Sequence, residues 1–260
     1  MRAAPVQVNY VGYPGTLGVD YVDYIIADEF VIPPHFEQGY AERVLRMPHC
    51  FLPSDRKRPR GAPPSRQSLQ LPEDGIVFCA FNSPYKITPD IFAIWCRLLA
   101  DVADSVLWVR SDNKTVNANL IAAAARHGIG SERLVFATRA ELADHFARLQ
   151  QADLMLDTFP YSSHSTASDA LWCGVPIVTR IANTFASRVA GSLLRACGLY
   201  ELVAETGEQY YQLALELARD RSRLKQLKSY LETRRLDLPA FDSAAHTRDL
   251  EQIYIEVLRH

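Results

Sequence analysis

One ten-residue run gathers the groups best suited to chemistry: Asp157-Thr158-Phe159-Pro160-Tyr161-Ser162-Ser163-His164-Ser165-Thr166, which leads from the apolar stretch Leu154 to Leu156 into a helical pattern. Gly174 can close that helix, and Pro176 cannot extend it. A helix beginning at Ser165 or Thr166 would aim unpaired backbone N–H groups and a positive dipole end at the loop, an arrangement that holds a diphosphate with few cations. The same residues also fit an ordinary Ser/Thr N-cap.

Two other places hold informative groups. Asn82-Ser83-Pro84-Tyr85-Lys86 puts a lysine just ahead of a helix start, where it can reach a phosphate or remain a solvated surface charge. His145 and Arg148, three residues apart, share one helical face and could stack on and hydrogen-bond to a base; a partly exposed polar face has the same spacing. Asp153, Asp157 and Asp169 do not make a glycosidase-type dyad, since Asp153 begins a strand and Asp169 lies within a helix. No His/Cys/Asp/Glu set has metal-ligand spacing, and no GxGxxG or GxxxxGK[ST] element follows a strand. His127, His246 and His260 have no partner pattern.

The elements that must position these groups alternate. From Gly75 onward, short apolar strands (Ile76–Phe81, Ser105–Val109, Leu134–Phe136, Leu154–Leu156, Val175–Thr179) each precede a helix. Those helices are predicted from Thr88 as cap with Pro89 at the first position, over 116–127, 140–149 and 166–173, and ending near Gly198. This is the pattern of a parallel, doubly wound α/β sheet, whose ligands sit beyond the carboxyl ends of the strands. After Gly198 the text reads as helical, with leucine stripes at Leu213 and Leu217 and at Leu224, Leu227 and Leu231, and a last helix over 244–258. The first 51 residues carry apolar runs at 8–11 and 24–27 and a predicted short helix over 36–45, and they read as part of a separate, partial lobe. Residues 52–74, rich in proline and arginine and without apolar periodicity, read as a linker or surface loop.

Bulk properties remove other classes. A net charge of -2 over 260 residues offers no basic field for nucleic acid. Five cysteines, Cys50, Cys79, Cys96, Cys173 and Cys197, form no CxxC pair and read as buried reduced thiols. No signal-like segment opens the chain, and no apolar run reaches the ~18 residues of a membrane span, so a cytoplasmic setting is expected.

The sequence resembles the catalytic region of the O-GlcNAc transferase family, glycosyltransferase family 41. The matching text is Pro5-Val6-Gln7, Gly12-Tyr13-Pro14-Gly15-Thr16, Asp23-Tyr24-Ile25-Ile26, Met47-Pro48-His49, Phe81-Asn82 with Tyr85-Lys86, Leu156-Asp157-Thr158, His164-Ser165-Thr166 with Asp169 and Leu171-Trp172, and Ala186-Ser187-Arg188-Val189-Ala190. The resemblance implies a GT-B fold: two Rossmann-like lobes, with residues 1–51 a remnant of the first, 52–74 the connection, and 75–260 the nucleotide-sugar-binding second lobe. It also implies transfer of N-acetylglucosamine from UDP-GlcNAc to protein Ser/Thr hydroxyls with inversion, with no metal or other cofactor. Under it, Lys86 stabilises the departing diphosphate and His145 and Arg148 contact the uridine. His164, Ser165 and Thr166 are then helix-start donors, and Asp169 accepts from the ribose. Ser83, Ala140, Gly12 and Pro14 fall at further substrate-binding positions. The sequence departs from the family where Ser83 replaces a glutamine and Leu142 a ribose-side lysine. It opens inside the first lobe, where the family carries an earlier histidine-bearing part and tetratricopeptide repeats. The related protein O-fucosyltransferases, which use GDP-fucose, and a non-catalytic nucleotide-sugar-binding fragment are the alternatives.

Overall fold

The computed structural model describes residues 2–259, so His260 lies outside the described residues. Two parallel sheets form. The smaller contains β1 (Val8–Asn9), β2 (Tyr24–Asp28) and β3 (Arg43–Met47) in the order β1-β2-β3, with Ile26 opposite Leu45. The larger contains β4 (Ile76–Ala80), β5 (Ser105–Arg110), β6 (Leu134–Ala137), β7 (Leu154–Leu156), β8 (Ile177–Arg180) and β9 (Val203–Ala204). Its order, β6-β5-β4-β7-β8-β9, is parallel throughout. The chain winds outward from β4 to β6, then returns to build the other half from β7. The crevice between β4 and β7 is therefore the switch point where ligands of such sheets bind.

All five β4 side chains are buried, which explains its unbroken apolar text: helices cover both faces. The helix α1 (Pro89–Asp101) starts as expected, with Thr88 Oγ1 accepting from Ile91 N at 3.4 Å and Phe92, Trp95 and Leu99 facing the core. Next come α2 (Lys114–Arg126), α3 (Leu142–Leu149), α4 (Ser165–Trp172) and α5 (Phe185–Ala196). The chain then forms α6 (Gly207–Arg219), α7 (Arg221–Arg234) and α8 (Ser243–Leu258). None is long and apolar enough to cross a membrane.

Three expectations need correction. Residues 36–45 form no α-helix: a 3-10 turn spans Pro34–Gly39 and β3 follows at once, its backbone groups satisfied by pairing with β2. The chain is not wholly helical after Gly198, because β9 extends the sheet through Thr179 opposite Val203. Two residues are too few to show a period. On α6 the buried stripe is carried by Tyr210, Tyr211, Ala214, Leu217 and Ala218, while Leu213 is only partly buried.

Residues 52–74 hold one regular element, a 3-10 turn at Gln67–Leu69, and are tied down by arginines. Arg66 donates to the carbonyls of Pro72, Glu73, Gly75 and Gln151 and to Asp153 Oδ2 at 2.8 Å, while Arg60 pairs with Glu232 at 3.0 Å. The small sheet is completed from the far end of the chain: Phe185 and Val189 of α5 and Ile253 of α8 share one core with Ile25, Ile26, Val31, Met47 and Phe51. Leu193 and Leu194, one to two turns further along α5, belong to the large core. One helix thus serves both.

Candidate functional site

The loop after β7 is built around a buried carboxylate. Asp157, fully shielded from solvent, accepts from Thr158 N (2.8 Å), Ser163 N (2.7 Å), Ser163 Oγ (2.5 Å) and Thr179 Oγ1 (2.6 Å). Asn82, two residues beyond β4, donates to Thr158 Oγ1 at 2.9 Å and Ser163 Oγ at 2.6 Å, stitching the two sides of the switch point together. Burial pushes the Asp157 carboxyl above its usual range, while the Ser163 and Thr179 bonds pull it down. Asp157 is therefore committed to shaping the loop and is not presented to a ligand.

Lys86 ends a short 3-10 turn at Pro84–Lys86 and lies across this loop. Its Nζ donates to Ser162 O at 3.0 Å and sits 3.8 Å from the Tyr161 ring centroid. Burial lowers its pKa, and the Asp157 charge opposes that. Ser83 precedes the turn, half-buried, with its carbonyl accepting from Lys86 N at 3.0 Å.

The helix α4 begins at Ser165, as the diphosphate reading requires, and the ordinary Ser/Thr cap does not form. His164 occupies the cap position with no side-chain cap bond, and its carbonyl takes the Ala167 and Ser168 amides. Among the described residues, the Ser165 and Thr166 amides and hydroxyls have no protein partner and so remain open to an anion. The His164 ring is already engaged: Nε2 lies 3.3 Å from Ala186 O, which can only accept, so Nε2 carries the proton. Burial, with a smaller push from Lys86, lowers its pKa to about 4.

Ser165 and Thr166 open onto a cleft of about 570 Å³ whose opposite wall is α3. His145 and Arg148 line it, 3.5 Å apart between Nδ1 and Nη2, packed against Phe81, whose ring centroid is 5.5 Å from that of His145. Burial, then the Arg148 and Arg110 charges, lowers the His145 pKa to about 4, leaving a neutral imidazole beside a buried guanidinium with an unpartnered Nε. A flat, partly cationic shelf of this kind suits a nucleobase. Ala140 and Asp169 line the same cleft, and Asp169 Oδ1 is held by Arg58 at 2.8 Å. Leu142 borders it, more than half exposed.

Gly12 and Pro14 do not reach this cleft. They line a smaller crevice of about 40 Å³ with His164 and Phe185, where the first lobe meets the second. The Gly12 backbone is left-handed, with φ of 88°, which suits glycine. Sequence reasoning passed over Arg110, at the end of β5, and Arg139, just beyond β6, although both sit at strand ends where ligand groups are expected. It also passed over Arg58, whose contact with Asp169 spans 111 positions. Among the described residues no group of three His, Cys, Asp or Glu side chains is placed to hold a metal ion.

The sequence model described as Glycosyl transferase family 41 matches residues 1–59 and 62–250. The Arabidopsis thaliana protein named probable UDP-N-acetylglucosamine–peptide N-acetylglucosaminyltransferase SEC is 35% identical over 99% of this chain, which spans 27% of that relative's length. A variant of the Thermobaculum terrenum O-GlcNAc transferase superposes with a TM-score of 0.88 at 32% identity, covering 97% of this chain and 48% of its own. Anabaena HepE, solved with UDP, shares the fold at a TM-score of 0.65 and 15% identity, over 90% of this chain and 64% of its own. Two parallel α/β sheets packed together are the GT-B arrangement. With a family match over nearly its whole length, the chain belongs to glycosyltransferase family 41.

Proposed function

We propose that this chain forms the donor-binding part of a protein O-glycosyltransferase that moves N-acetylglucosamine from UDP-GlcNAc to Ser/Thr hydroxyls with inversion. One observation carries the reading: the open amides of Ser165 and Thr166, the His145–Arg148 shelf and Asp169 converge on one cleft at the sheet's switch point. The shelf takes the uracil, Asp169 the ribose and the α4 start the diphosphate. The acceptor oxygen attacks the anomeric carbon as the bond to the diphosphate breaks, and UDP leaves with the bonding electrons. Lys86 and the α4 amides offset the charge that builds on the leaving oxygen, and no metal is required for that. The name of the Arabidopsis relative specifies UDP-N-acetylglucosamine and a peptide acceptor, which supports this donor over GDP-fucose. Five buried free cysteines accord with the reducing cytoplasm.

Calorimetry with UDP and GDP, followed by a transfer assay on a Ser/Thr-rich peptide, tests the proposal. UDP should bind in preference to GDP; binding of neither would refute it, and UDP binding without transfer would favour a non-catalytic binding fragment. Lys86→Ala should reduce transfer about 100-fold or more while the fold persists. An unchanged rate removes Lys86 from its role.

A further inference from the structure

We propose that Arg58, from the segment joining the two lobes, is a positioning residue for the donor's ribose, holding the Asp169 carboxylate in the one orientation that leaves its second oxygen free for a hydroxyl. The inference rests on the functional reading above, which places the ribose at Asp169.

The geometry is that of a fixed fork. Arg58 Nη1 donates to Asp169 Oδ1 at 2.8 Å, Nη2 to Ser168 Oγ at 3.2 Å and Nε to Asp55 O at 2.9 Å. Ser168 Oγ is in turn 2.8 Å from Ser54 Oγ, so residues 54–58 grip two consecutive residues of α4. The guanidinium carbon lies 5.0 Å from the Trp172 ring, 5.5 Å from Phe241 and 5.8 Å from Phe146, an aromatic cage that fixes its plane. Asp169 Oδ2 has no hydrogen-bond partner among the described residues, and the residue lines the cleft. Burial pushes the Asp169 carboxyl up, and the Arg58 charge and hydrogen bond oppose it. A carboxylate freed from this fork would rotate and share its charge between orientations, and a ribose hydroxyl would lose its acceptor.

The test compares UDP with its 2′-deoxy and 3′-deoxy analogues by calorimetry on the full chain. The unmodified protein should prefer UDP about tenfold over at least one analogue. In Arg58→Met, which keeps the apolar stem in its cage, that preference should collapse toward unity while binding of the disfavoured analogue is unchanged. A merely structural role would weaken all three ligands alike, and a retained preference in Arg58→Met overturns the proposal. If Arg58→Met does not fold, Arg58→Gln reads the same ratio: a collapsed preference supports the role of Arg58 and a retained one overturns it. Failure of the unmodified chain to bind UDP at all would instead overturn the functional reading and this inference with it.

Discussion

His145 lines the cleft of about 570 Å³ and His164 the smaller crevice of about 40 Å³, and both are kept neutral by burial, each with a pKa lowered to about 4. The unfolded chain protonates them near 6.5, so below that pH the unfolded state binds protons that the folded state refuses. Stability should therefore be full above about pH 6.5 and fall as the pH drops toward about 4, on the order of 2 kcal/mol for each ring by about pH 5. Burial lowers the pKa of His246 too, which adds in the same direction. Denaturant midpoints across this window measure the slope, and His145→Gln should reduce it. An NMR titration in which both rings protonate at their ordinary value would refute the account. On the proposed reading, in which the uracil packs on a neutral His145, UDP binding should stay level from about pH 8 to about pH 6.

The loop between β7 and α4 depends on Asp157, because Thr158, Ser163 and Thr179, which donate to it, are shielded from solvent. Asp157→Ala leaves Thr158 N, Ser163 N and Thr179 Oγ1 buried without an acceptor and should cost about 3 kcal/mol or more. Urea unfolding would show this as a lowered midpoint at unchanged slope, and a change under about 0.5 kcal/mol would sink the idea. UDP affinity should fall as well, since the loop delivers Ser165 and Thr166 to the cleft. Much of this element is legible in the sequence: an apolar strand, a polar loop and a helix closed by Gly174, whose φ is indeed 81°. Strand ends locate Lys86 and Ser165 by rule. Arg110 and Arg139 also lie at strand ends, but a lone arginine carries no pattern of its own, and their common cleft appears only once α3 and α4 enclose it. Arg58 sits in proline-rich text with no period, and its partner lies on another element. The helical pattern of 244–258 is readable, and Leu250, Ile253 and Val257 make its apolar stripe, but a stripe does not say which sheet it will cover.

Whether the whole molecule unfolds as one unit depends on what joins the small sheet to the rest. Three strands bury too little surface to stand alone, and their core is completed by α5 and α8. At the centre of that junction Asp28, 1% exposed, accepts from Val31 N at 2.8 Å and Phe51 N at 3.0 Å. It also accepts from Ser192 Oγ of α5 at 2.5 Å, while Arg188 Nε, one turn earlier, donates to Phe30 O at 2.7 Å. With those bonds intact the two sheets should melt together. Trp95, Trp108 and Trp172 all lie in the large core, so tryptophan fluorescence reports that core alone, and amide exchange at Ile26 reports the small sheet. The two signals should change at the same denaturant concentration in the unmodified protein. Asp28→Ala strands three buried donors and should cost about 3 kcal/mol, most of it in the small sheet. Protection at Ile26 should then disappear while the fluorescence is still native, and separate transitions in the unmodified protein would instead mean that α5 packs against the small sheet without coupling it to the large one.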